Sequence, residues 1–565
     1  MLLSLVVSLQ VAAAPLTTLA ETSGWTRTGR YEEVEQLCAS FPKRYPGKVR
    51  CETFGTTPLG RKMLALVAGT PKKPVVLLQG GIHAGEIDGK DAGFWLLREV
   101  LDGKVAPGVL DAITLVFVPV FNVDGHERFG PQQRPNQRGP EEGGWRVTSQ
   151  NLNLNRDYLK ADAPEMGALL ALLHRFEPVL YVDLHVTDGA KFQHDVSITF
   201  EPRRMGDEGV RAWGRTLEQD VFSTLKAEGH LPVDFYPSFE NDDDPQSGFA
   251  SGVAPPRFGT AYWALQNRFG MLVETHSWRP YAHRVKTTFD VCAGLLEQAK
   301  LHARDWQDAM VRADAGAKQL AGKTVALSWE PTGRGETIEF LGYEYVRAPS
   351  EVSGKPWVQY DESKPQVWKV PLIDELAPAV SVTAPKGYFV SASAVSVVKP
   401  RLLAHHLSFT VLDKPLRGRA VEGFRVDPIV YRGGSYEGHQ VLLVKGAWSP
   451  CTEDLAVGSL WVPVDQLHAL SVLELFEPLA PDSLAAWGFF NAHLEQKEYL
   501  EDYVTEAFAR EQLKNPAVKA EFDAAVTDGG LGKDADARLR FFAKRHPSWD
   551  ARLGLLPVFR SEQAP

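Results

Sequence analysis

Cysteine is scarce. The chain has four in 565 residues, Cys38, Cys51, Cys292 and Cys451, and none is spaced as in a zinc finger or a redox motif. The cysteines therefore do not build a metal site. In an exported protein Cys38 and Cys51 could close a short loop as a disulfide; buried free thiols are the equal alternative. A basic excess is also missing. With 61 Lys and Arg against 71 Asp and Glu, the net charge is -10, which excludes the dense cationic surface that binding to nucleic acid requires. No apolar run is long enough to cross a membrane convincingly. The amino-terminal "MLLSLVVSLQVAAAPLTTLA" ends in small residues and reads as the hydrophobic part of a secretory leader over residues 1–20, with cleavage near Ala14 or Ala20, although no Lys or Arg precedes it. The mature chain is then expected to be secreted or periplasmic, without a membrane span. Internal repeats and low-complexity stretches are absent.

Hydrophobic content of 44% and charged content of 23% describe an ordinary globular chain. At ~150 residues per domain the length predicts about two to four domains. Residues 25–320 alternate short apolar runs such as "PVVLLQG", "ITLVFVPV", "VLYVDLHV" and "GMLVETHS" with longer helical stretches. That texture predicts an α/β domain, a mixed and mainly parallel sheet flanked by helices. Residues 325–480 turn strand-like, with "TIEFLGYEYV", "GYFVSASAVSVV", "LLAHHLSFTVL" and "HQVLLVKGAW" between turns, and predict a β-rich accessory domain. Residues 481–565 return to helical periodicity.

The stretch "GGIHAGEIDG" (80–89) follows an apolar strand. Ligands bind at the carboxyl ends of such strands in open α/β sheets. Three residues apart in a glycine-rich turn, His83 and Glu86 can converge on one ion; a capped turn before a helix is the simpler alternative. His185 lies near the end of "VLYVDLHVTDG". Two histidines and a glutamate leave a fourth tetrahedral position open, as in catalytic zinc sites. Glu274, at the end of another apolar strand, would be costly to bury unless paired, hydrated or used, and could serve as a general base.

His83, Glu86, His185 and Glu274, in that order, together with "PVFNVDG", "GGWR" and "NLNLNRDY", resemble the zinc carboxypeptidase family, the carboxypeptidase A-type metallopeptidases. The resemblance implies one zinc ion held by His83, Glu86 and His185, with Glu274 as general base and acid. It implies that Arg146 stabilises the oxyanion and that Asn155 and Arg156 grip the carboxylate of a peptide with a free C-terminus. Without the family, Arg156 would read as a salt bridge to an acid such as Asp157, and Arg146 as a solvated loop residue. Where the family often has Asp to orient the first zinc histidine, this chain has Asn153, a neutral acceptor. The substrate-covering tyrosine falls on Tyr262 or Tyr236, Tyr262 also reading as a packed wall. Asp88 and Asp183 could orient ligands, helix capping and strand-end hydration being simpler. His276 and His283 could support the site from behind its ligands, a hydrogen-bonded structural role being simpler, and His405 and His406 read as strand residues on opposite faces. The function expected is hydrolysis of C-terminal peptide bonds. The alternatives are a zinc amidohydrolase of N-acyl amino acids, like the desuccinylase and aspartoacylase group, and a non-catalytic peptide-binding relative.

Overall fold

The computed structural model describes residues 16–527 and 530–565. The apolar run of residues 1–15, with Ala14, lies outside them. Ala20 is fully buried in a short capped turn, Leu19–Thr22, where Arg98 holds Glu21 at 2.6 Å.

The first half is organised by an eight-stranded sheet. In chain order its strands are β1 (Val49–Thr56), β2 (Lys62–Ala68), β3 (Val75–Gly80), β4 (Thr114–Val118), β5 (Leu180–Thr187), β6 (Val196–Glu201), β7 (Pro232–Val233) and β8 (Phe269–His276). In space they run β1-β2-β4-β3-β5-β8-β6-β7. The middle four, β4, β3, β5 and β8, are mutually parallel, while β2 is antiparallel to β4 and β6 to β8. Every residue of β3, β4 and β5 is buried, which is why these strands are rich in Val and Leu on both faces: both faces are covered. The covering helices are α1 (Tyr31–Arg44), α2 (Asp88–Leu101), α3 (Pro164–Phe176), α4 (Glu208–Ala227) and α5 (Tyr281–Ala317); α2 and α4 pack on α5. A Cys38–Cys51 disulfide joins α1 to β1, with Cα atoms 5.3 Å apart, and Cys292 and Cys451 remain free thiols.

The second half is β-rich with helical additions. Strands β9 (Thr324–Pro331) and β12 (Leu376–Thr383) pair, and between them β10 (Gly335–Pro349) and β11 (Pro356–Ile373) form a long hairpin. Phe340 and Trp368 of the hairpin bury against Phe192, Phe235 and Phe249 of the first half. A six-stranded sheet follows, from β13 (Gly387–Val390), β14 (Thr410–Val411), β15 (Leu416–Val426), β16 (Gly446–Leu455), β17 (Leu460–Pro463) and β18 (Leu555–Ser561). The last strand, β18, sits between β13 and β15.

Two runs expected as strands are not. Between β13 and β14 the chain forms a helix, α6 (Val395–Ala404). Val398 and Leu402, four residues apart, are its buried edge, so a helical stripe rather than alternation meets the core. His405 and His406 follow that helix instead of alternating across a sheet. Similarly, "HQVLLVKGAW" enters a strand only from Gly446.

Candidate active site

Parallel register decides the site. Glu274 on β8 pairs with His185 on β5, and Gly80, the last residue of β3, pairs with Leu184. The turn after β3 therefore delivers His83 and Glu86 beside His185 and Glu274 at the carboxyl ends of three neighbouring strands. The glycines of that turn have a steric cause. A side chain at Gly85 would meet Arg134 Cγ at 2.3 Å and the Gly144 carbonyl at 2.5 Å, so glycine lets the 128–146 loop close over the turn.

The three expected ligands are buried and their donor atoms lie within 4.8 Å of one another. His83 Nδ1 is 2.9 Å from one Glu86 carboxylate oxygen, and His185 Nδ1 is 2.9 Å from the other. The far ring nitrogens face polar atoms: His83 Nε2 is 3.2 Å from Asn153 Oδ1 and His185 Nε2 is 3.1 Å from an Asp183 oxygen. Asn153 thus meets the first histidine, as its position in the motif suggested. Asp88 does not reach the ligands; it pairs with Arg284 at 2.9 Å and accepts from Thr275 at 2.8 Å.

Burial pushes the His83 imidazole down to about 4, against the pull of Glu86. Burial alone would raise Glu86, but His83, Arg134 and His185 outweigh it and hold the carboxyl well below its ordinary range. His185 goes the other way: burial disfavours its charge, yet Asp183 and Glu274 lift it well above the usual imidazole value. Glu274 is pushed up to about 8 by burial, with Glu86 and Asp183 adding to the shift against His185. Its Oε2 is buried without a hydrogen-bond partner. Three converging N and O donors, each histidine backed by a polar group, next to an unsatisfied carboxylate, fit a divalent zinc.

A cavity of about 380 Å³ opens at this cluster and is lined by His83, Glu86 and Glu274 as well as Arg146, Asn155 and Arg156. Seven of the eight expected site residues are therefore brought together there, His185 completing the set through its contacts. Arg146 is about a third exposed, 3.4 Å from Glu86. Arg156 forms no ion pair with a described residue: its Nη1 donates to the Asn155 carbonyl at 2.7 Å and its Nε to the Tyr436 hydroxyl at 3.2 Å, over the Phe258 ring at 4.4 Å. Asp157 turns instead to Lys160 and to the amides of Asp162 and Ala163.

Tyr262 stands apart. It is fully buried, its hydroxyl 2.9 Å from His405 Nδ1, and it is not part of the cavity wall; Tyr236, the other candidate, lines the cavity and is 40% exposed. His276 stacks on Phe192, centroids 3.9 Å apart, and His283 meets Asp195 at 3.2 Å.

Four contributors were not legible in the motifs. Arg134, from the loop over Gly85, reaches Glu86 at 2.7 Å. Tyr436 and Glu437 come from the second half, Glu437 accepting the Asn153 amide at 3.1 Å. Arg204 lies on the cavity wall. Only Arg134, in a loop between two recognised segments, carried a positional signal.

A second cluster, Asp195, His230 and His283, also has its donor atoms within 4.8 Å of one another. There, both ring nitrogens of His230 are already taken, by Asp195 at 2.6 Å and Asp290 at 3.0 Å.

Residues 34–197 match the family model described as zinc carboxypeptidase. That stretch is similar to a zinc carboxypeptidase domain. Among curated proteins it is similar to carboxypeptidase B of Astacus astacus, 28% identical over 105 residues, covering 18% of this chain and 35% of that one. It is also 30% identical over 115 residues to the inactive metallocarboxypeptidase ECM14 of Saccharomyces cerevisiae, covering 18% and 27%. The chain thus spans about a third or less of these relatives' lengths. Among solved structures, carboxypeptidase A from Helicoverpa armigera is 17% identical with a TM-score of 0.35, covering 50% of this chain and 74% of its own. The matched stretch contains His83, Glu86, Arg146, Asn155, Arg156 and His185; Glu274 lies beyond it and joins through the β5–β8 register.

Proposed function

We propose that the chain is a zinc-dependent metallocarboxypeptidase that removes the C-terminal residue of a peptide. The observation that carries this reading is one cavity holding both the His83, Glu86, His185 and Glu274 cluster and the unpaired Arg156 guanidinium. His83, Glu86 and His185 would hold one zinc ion, which when bound polarises a scissile carbonyl and lowers the pKa of water toward ~7.

The chain's own groups account for the rest. Arg156, kept in place by Tyr436 and the Asn155 carbonyl, offers free N–H groups to the terminal carboxylate, with Asn155 beside it. That sets the scissile carbonyl toward Arg146, whose guanidinium meets the negative charge developing on its oxygen. Glu274 must be ionised to take a proton from the attacking water; a nearby dication would lower its pKa from the value burial imposes. Glu274 then delivers that proton to the leaving amine. Export is supported by the Cys38–Cys51 disulfide, such bonds persisting in oxidising compartments. No helix of the described residues is long and apolar enough to cross a membrane.

The similarity to a protein named as inactive supports a second reading, a peptide-binding protein without turnover. One experiment separates the two: zinc content and free amino acids released from a mixed peptide pool, for wild type and Glu274→Gln. Both proteins should hold one zinc, and release should fall by about 10²- to 10⁴-fold in the variant. Zinc in both with release from neither would end the peptidase reading and turn attention to peptide binding or to N-acyl amino acids.

A further inference from the structure

The cavity does not stop at the cluster. Leu272 and Thr199 are partners across β8 and β6, as are Gly270 and Glu201, and Leu272, Thr199 and Glu201 line the same cavity as Glu274. Alternate residues share a face of a strand, so the cavity descends the sheet from residue 274 to 270, roughly 13 Å at 3.3 Å per residue. At this far end Arg203 and Arg204, which follow β6, contribute to the wall.

Most of the charges here are already matched. Arg203 binds Glu218 at 3.2 Å and Asp234 at 2.9 Å. Glu201 accepts the amides of Arg203 and Arg204 at 2.6 and 3.2 Å. Near the mouth, Asp188 meets Arg134 and Asn136. Arg204 is the exception: its guanidinium makes no hydrogen bond or ion pair with a described residue. Glu201, Asp374 and Asp234 are near enough to favour its charge, but burial and Arg203 together outweigh them.

We propose that Arg204 makes the lower cavity selective for a C-terminal residue with an acidic side chain, glutamate or aspartate. This rests on the peptidase reading of the same cavity. A carboxylate there completes a charge-assisted hydrogen bond that nothing in the fold supplies. An apolar side chain would strip water from an unpaired cation, and a basic one would meet it directly, both unfavourable. Glutamine would keep the shape and lose the charge, which makes it the discriminating comparison.

The test uses the zinc-loaded full chain and four N-acyl dipeptides that differ only in a terminal Glu, Gln, Phe or Lys. Calorimetry measures binding on the Glu274→Gln protein, and turnover is followed on wild type. The Glu peptide should bind about 10- to 100-fold more tightly than the Gln peptide, the range of a charge-assisted hydrogen bond. Adding Arg204→Gln should erase that ratio and leave the Gln peptide's affinity within about twofold. Tighter binding of Phe or Lys, or a Glu-to-Gln ratio unchanged by Arg204→Gln, overturns the proposal while turnover of any peptide keeps the peptidase reading. Glu preference in binding with no turnover does the reverse. Binding of none of the four overturns both.

Discussion

His83, Glu86, His185 and Glu274 are held by the strand ends and turns of one sheet, whereas Arg156 in the same cavity leans on Tyr436, 280 residues further along the chain. Tyr436 stacks on Trp487, with ring centroids 5.8 Å apart and planes within 8°. Around it, Glu437 takes the Asn153 amide and His439 and Arg401 bind Asp162, each at 2.7 Å. The end of the cleft that would carry out bond cleavage is thus intrinsic to the α/β half. The end that would recognise a carboxylate is buttressed by the β-rich half. A protein with this division can vary recognition by changing an added region without disturbing strands whose register fixes the metal ligands.

Substitutions at the two ends should differ in kind as well as size. At the metal end, Arg146→Met should lower kcat by about 10²- to 10³-fold with little change in KM, since it removes charge stabilisation that matters only as the oxyanion forms. Steady-state kinetics on a peptide substrate checks it; an effect confined to KM would instead make Arg146 a binding residue. At the buttressed end, Tyr436→Phe removes only the hydroxyl that receives Arg156 Nε. KM for free-acid peptides should rise by about 2- to 10-fold, the scale of one net hydrogen bond, with kcat nearly unchanged. Peptides blocked as C-terminal amides should not notice the change. If acids and amides suffer alike, Tyr436 supports the fold and not the guanidinium.

The same division explains what could be read in the sequence. His83 and Glu86 follow one apolar strand, and His185 and Glu274 lie near the ends of two others; strand order in an α/β sheet brings such ends together, so four distant letters already implied one place. Asn155 and Arg156 were legible through the motif, but their environment was not. Tyr436 sits in an irregular stretch whose neighbours in space are set by tertiary docking, and no periodicity announces such a contact. Tyr262 shows the opposite failure. The resemblance admitted a site role for it, yet an aromatic on the Gly259–Ala264 helix packs inward against Tyr158 and His405. Helix α6 reads as a strand because its Val residues suit strands by propensity, until a buried Val398 and Leu402 edge fixes the helical period.

The two histidine–carboxylate clusters sharpen the comparison further, because both bring their donor atoms within 4.8 Å of one another but only the first opens onto the cavity. In the other, His230 lies between Asp195 and Asp290, and those hydrogen bonds raise it to about 9 against the effect of burial. A proton there serves where a metal would serve at His83 and His185. A folded-state pKa above the unfolded value of ~6.5 means stability fully present below pH 6.5 and lost as pH climbs through about 9. Urea unfolding from pH 6 to 10 should therefore show the wild-type midpoint falling across this window relative to His230→Gln, the two differing most at the acid end. Zinc should not change that difference, since His230, held protonated between two carboxylates, has no lone pair to offer a metal. Parallel pH profiles for the two proteins would show that the ion triad contributes no proton-linked stability, and a zinc-dependent shift would make the second cluster a metal site after all.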